Sequence, residues 1–230
     1  MCFSPEADFA AAAAITPVAA GALVSVRHRD EWPIAALPLL FAVHQLVEAF
    51  VWLGLDGSVS ESVFAAATRA YLIFAQGMLP ILVPVGLLLL EPVRAHRRWI
   101  VPFAAVGTIV GAYLLVVTIF EPVSATRGDH AIVYTTQTGF GFLAAAAYVV
   151  ATCGPALVST RRYLRLFGVV NILMIGLAEA VRSSSVVSLW CVAAALASVL
   201  ILLHFRHQRR LDGDFGHESL EHRVMAALGH

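Results

Sequence analysis

Long apolar runs broken by short polar stretches dominate the chain. Crossing about 30 Å of hydrocarbon takes roughly 20 apolar helical residues. Seven runs meet that length: Ala7 to Val26, Pro33 to Leu55, Val63 to Leu90, Trp99 to Ile119, Gln137 to Val158, Tyr163 to Val181 and Ser185 to Phe205. The pattern predicts an all-α fold, a seven-transmembrane helix bundle over 1–205 followed by a tail over 206–230. The third run is too long to stand upright and is expected to tilt and to bend at Pro80 and Pro84. Gly107 and Gly111 in GTIVG make a small-xxx-small face, expected to pack against another helix. Connections are short, the longest being the loop EPVSATRGDHAIVY between helices four and five. In the tail, Leu220, Val224 and Leu228 recur at helical spacing and predict a short helix on the membrane face, whereas His207, His217, His222 and His230 share no face.

Composition strengthens the membrane reading. Hydrophobic residues make up 60% and charged residues 13% of the chain, with a mean hydropathy of +0.82, where soluble domains carry about 25% charge. The expected partner is therefore the lipid bilayer. Fifteen arginines balance fifteen acidic residues, which gives no argument for nucleic acid. Lysine is absent, which excludes a retinal Schiff base. Cys2, Cys153 and Cys191 are too scattered for a disulfide scaffold. The opening MCFSPEADF lacks a basic n-region and a cleavage site, so the first run is expected to stay in the membrane. Twelve arginines fall in the loops after helices one, three and five and in the tail, against Arg127 and Arg182 opposite, with Arg69 inside helix three. That bias places the N-terminus outside and the C-terminus in the cytoplasm.

The exceptions to the apolar pattern carry the candidate chemistry. The second run contains FAVHQLVEAFVWLG, with His44, Gln45 and Glu48 at its centre. His44, Glu48 and Trp52 recur at i, i+4 and i+8, and Arg69 and Gln76, seven apart, share a face of the third helix. Charged groups are costly against lipid, so both stripes are expected to face the bundle interior. Counted at 1.5 Å per residue, Glu48 and Arg69 sit at one depth and form an expected ion pair. Pro33 to Val43 and Met78 to Leu90 hold no hydrogen-bonding side chain, so the polar residues read as a cup open to the outer face and sealed below. His44, Glu48 and Arg69 are its expected floor, with Glu179 and His130 at the rim and Gln45 and Gln76 as further pocket candidates. The HxxxE pair suits two ligands of a metal such as zinc, with His130, Asp129, Glu179 or Cys2 as a third, and equally suits a hydrogen bond that locks helix packing. Trp52, Trp99 and Trp190 match interfacial anchors. Ser4, Pro5, Glu6 and Asp8 read as a capped helix start, and Cys2 stands before it as a candidate reactive thiol.

MCFSPEADF, ALPLLFAVHQLVEAFVWLGL, LVPVGLLLLEP, GDHAIVY, RRYLRLFG and LWC together resemble a bacterial family of small polytopic membrane proteins that begin with MCFS, a domain of unknown function. The resemblance spans nearly the whole chain and implies the seven-helix architecture and the bacterial cytoplasmic membrane, with no activity to carry over. The leading expectation is a small-ligand or metal site in a sensor or accessory subunit. The alternative is a metal-dependent hydrolase at the outer leaflet with Glu48 as base or ligand. The apolar inner halves argue against a transporter. Ligand identity and oligomeric state stay open.

Overall fold

The computed structural model describes residues 4–128, 132–139, 141–180, 195 and 197–210. Helix α1 (Pro5–Val24) begins as the sequence prescribes. Ser4 is extended and its hydroxyl accepts the Ala7 N–H at 3.3 Å, Pro5 occupies the first position, and Glu6 and Asp8 lie in the first turn. Its buried positions beyond Pro5 are Asp8, Ala12, Ile15, Ala19 and Ala22, alternating in steps of four and three, so they form one stripe. Three of them are alanine, which lets the backbone approach its neighbour closely. That neighbour is α3 (Leu37–Leu55), which follows a 3-10 turn and the short α2 (Trp32–Ala35).

The third span is not one regular helix. It runs as α4 (Glu61–Leu72), a π-helical stretch Ile73–Met78 and α5 (Leu79–Leu90). Pro80 explains the wide turn. It lacks the N–H that the Gln76 carbonyl needs in an α register, and its ring crowds that carbonyl. In the π register the Ala75 carbonyl would also look to residue 80 for its donor. The Tyr148 hydroxyl supplies that donor from another helix, at 2.5 Å.

Helix α6 (Arg94–Phe120) packs on α5 through the two glycines. A methyl on Gly107 would run into the Pro80 carbonyl oxygen, and one on Gly111 would lie 2.6 Å from that of Gly77. The connection read as a loop is a β-hairpin. β1 (Val123–Arg127) and β2 (Ile132–Thr136) pair antiparallel, with Ala125 opposite Tyr134 and Arg127 opposite Ile132. Helices α7 (Gly141–Val158) and α8 (Arg162–Ala180) follow, and 197–210 is helical, past Phe205.

Among the described residues five helices are long and apolar enough to cross a membrane: Pro5–Val24, Arg29–Leu55, Glu61–Leu90, Arg94–Phe120 and Gly141–Val158. The largest apolar cluster joins Ile15, Phe41, Phe74, Leu87, Phe167 and Phe205, gathering five helices and the π-helical stretch around one core. The tail beyond 210, with its expected surface helix, lies outside the described residues.

Candidate functional site

Helix α3 carries His44, Gln45 and Glu48 on its buried side, with 3%, 1% and 0% of their surface exposed. The head of the α1 stripe brings a fourth polar residue to them. Asp8 is also fully buried and interacts electrostatically with Glu48. Gln45 Nε2 donates to Glu48 Oε2 at 3.1 Å. Much of the remaining hydrogen-bonding capacity is unused. Asp8 Oδ1 and Oδ2, Gln45 Oε1 and both ring nitrogens of His44 have no hydrogen-bond partner among the described residues. Leaving such a group buried and unsatisfied costs about 1–3 kcal/mol each, and more for a charge.

Aromatic rings close the cluster on the hairpin side. The His44 ring stacks on Tyr71 at 4.0 Å and meets Phe74 at 4.7 Å, and Tyr71 in turn stacks on Tyr134 of β2 at 4.2 Å and 8°. Tyr134 thus links the extramembrane hairpin to the middle of α3. The cup expected to stand open is covered here. Trp52 changes role for the same reason. It is buried with Val51, Ala125 and Ile132, and the Arg127 guanidinium lies 5.4 Å over its ring while pairing with Asp56. An interfacial anchor would be exposed, but the hairpin folds down over this tryptophan.

Two further sequence expectations are corrected. Arg69 is exposed, and no ion pair joins it to Glu48. Depth along a helix is legible from residue count, whereas direction depends on which face packs. The face of α4 turned inward is that of Thr68, Tyr71 and Leu72, and Arg69 points about 100° away from Thr68. Gln76 is half-buried in the π-helical stretch, whose wider turns break the seven-residue register with Arg69. Cys2, Asp129, His130, Arg182, Trp190 and Cys191 lie outside the described residues, and so does the side chain of Glu179, whose backbone is in the last turn of α8. Among the described residues no three His, Cys, Asp or Glu side chains converge as the expected zinc site would need.

Glu91 shows what a satisfied buried carboxylate looks like in this protein. It follows α5, and its oxygens accept from the Thr160 hydroxyl at 2.6 Å, the Thr160 N–H at 2.9 Å, the Ser159 hydroxyl at 3.2 Å and the Val93 N–H at 3.4 Å. Burial is the largest single influence on its acidity and pushes it up. The hydrogen bonds, led by the Thr160 hydroxyl, together outweigh it and hold the carboxyl below its ordinary 4.5. Glu91 therefore ties the end of α5 to the turn between α7 and α8, a structural role that sequence reading missed. Asp8 was missed as a site residue too, because an acid in a first helical turn already has a reason to be there. The four-three stripe of small residues behind it is the signal that exposes its position.

A family model described as a family of unknown function, DUF6629, matches residues 1–214. The chain belongs to that family. The match takes in every helix and the hairpin, so Asp8, His44, Gln45 and Glu48 lie within the part the family shares. No curated protein and no solved structure matches the chain.

Proposed function

We propose that the chain is a seven-span protein of the bacterial cytoplasmic membrane, N-terminus outside, whose Asp8, His44, Gln45 and Glu48 cluster binds a small ligand from the outer side, in a sensor or accessory subunit. The carrying observation is the unused hydrogen-bonding capacity of Asp8, Gln45 and His44 in an enclosed site. Glu91 satisfies its oxygens fully, so this chain has the means to partner a buried carboxylate and does not use them at Asp8. The orientation is supported by the arginine bias, which sets eleven of the fifteen arginines, at 27, 29, 94, 97, 98, 161, 162, 165, 206, 209 and 210, at the ends of helices away from the hairpin. Entry of a ligand requires the hairpin to lift and part Tyr134 from Tyr71. The hydrolase reading draws no support from the described residues, among which no three His, Cys, Asp or Glu side chains converge as a catalytic zinc site would need.

The test is thermal-shift screening of the detergent-purified full chain beside His44→Phe. Phenylalanine keeps the stack on Tyr71 and removes two unsatisfied nitrogens, so the variant is expected to fold at least as stably as the wild type. A ligand at about 100 times its Kd stabilises by about 2.7 kcal/mol. The reading holds if a ligand raises the wild-type Tm and either His44→Phe or Asp8→Asn loses that response. It fails if no compound shifts the wild type, or if His44→Phe and Asp8→Asn respond as the wild type does.

A further inference from the structure

We infer that Asp8, Gln45 and Glu48 form a binding site for a hard metal cation of the sodium or calcium class. The inference rests on the reading of this cluster as a ligand site and names the chemistry of its occupant.

The unfilled atoms next to the carboxylate pair are oxygen acceptors: Asp8 Oδ1, Asp8 Oδ2 and Gln45 Oε1. Gln45 turns its NH2 toward Glu48, at 3.1 Å, which commits its carbonyl oxygen to some other partner. Carboxylate and amide oxygens are the donor set of group 1 and group 2 cations, whereas zinc prefers nitrogen and sulfur. Sign points the same way. Two carboxylates that interact across α1 and α3 disfavour each other's charge, and a cation between the helices relieves that repulsion. An anionic or electroneutral acceptor-rich ligand would add to it.

Size excludes most organic cations. None of the four polar residues exposes more than 3% of its surface, and Ala12, one turn below Asp8 on the same stripe, is also buried at 3%. Such an enclosure favours a monatomic ion over any larger group. His44 is engaged with Tyr71 and Phe74 and is left outside the coordinating set. Held there, the ion would fasten the head of α1 to α3, so its occupancy would report on whether α1 stays docked.

The experiment exchanges the purified full chain into choline chloride and then titrates sodium, potassium, magnesium or calcium at constant ionic strength, reading Tm. The expected result is a saturable rise in Tm with at least one of these cations. Asp8→Asn should weaken the apparent affinity about tenfold or more, since affinity for hard cations follows the ligand charge count. That variant should still fold in choline, because it removes one of two repelling charges. Asp56→Asn, outside the cluster and paired with Arg127, should keep the full response. Three outcomes overturn the inference: no cation-specific rise at any pH from acid to alkaline, a rise that Asp8→Asn leaves intact, or a stability that follows pH alone, which would mean that the carboxylates share a proton. A small organic ligand that shifts Tm without any cation response overturns the cation and leaves the ligand site standing.

Discussion

Gly107→Ala probes a close backbone contact between α6 and α5. Pro84 has no N–H, so the Pro80 carbonyl four residues earlier lacks its intrahelical donor, and α6 brings Gly107 directly against that oxygen. A Cα–H contact to a carbonyl contributes about 0.5–1 kcal/mol. A methyl at residue 107 would lie inside the contact radius of a backbone atom that cannot rotate away, with Pro84 Cγ only 3.0 Å off on the other side. The helices must part. Overpacking of this kind costs about 1–3 kcal/mol, and with the lost contact the expected destabilisation is about 2–3 kcal/mol, roughly 30- to 150-fold in the folding equilibrium. Gly176→Ala in α8 is the control, since a methyl there meets nothing within 4 Å. It should be neutral or stabilising by up to about 1 kcal/mol through helix propensity. Reversible unfolding of the purified variants in mixed micelles, followed by helicity, measures both. A Gly107→Ala protein no less stable than Gly176→Ala would refute the packing argument.

Tyr148→Phe removes the hydroxyl donor to the Ala75 carbonyl, which the π-helical stretch leaves open above Pro80. It should cost about 1–3 kcal/mol in the same unfolding assay, and an unchanged midpoint would mean that the wide turn satisfies itself. Glu91 sets an acid limit. Its folded acidity lies below the ordinary value, so its stabilisation is complete at neutral pH and is lost as pH falls toward and through that lowered value, where the unfolded chain already binds the proton. Glu91→Gln should lose about 1.5–3 kcal/mol at neutral pH and show a flatter decline in Tm on acidification. An acid slope identical to that of the wild type would rule Glu91 out as its source.

His44, Gln45 and Glu48 were legible in the sequence because three polar positions within five residues of an apolar run have few low-cost places to point. Asp8 was legible only in outline, since its first-turn position has a local explanation. Arg69 misled, because residue count gives depth and leaves open which face of α4 packs inward. Tyr71 and Tyr134 stack across a distance in sequence that no periodicity spans, and the carboxylate of Glu91 finds Ser159 and Thr160 at separations of 68 and 69 residues.

By itself, then, the sequence determined that the chain is mostly helical with several runs apolar enough to cross a membrane, the capped start of α1 and the run that carries the polar core, because each follows from local composition and a fixed rise per residue. Only the tertiary structure decided that α1 delivers Asp8 to Glu48, that the connection between α6 and α7 is a hairpin covering Trp52 and stacking on Tyr71, and that Arg69 faces away. Those outcomes depend on which helix faces meet, and in a chain this apolar nearly every face is greasy enough to pack. Small residues and prolines, at Ala12, Gly107, Pro80 and Pro84, break that degeneracy by setting how closely two backbones can approach.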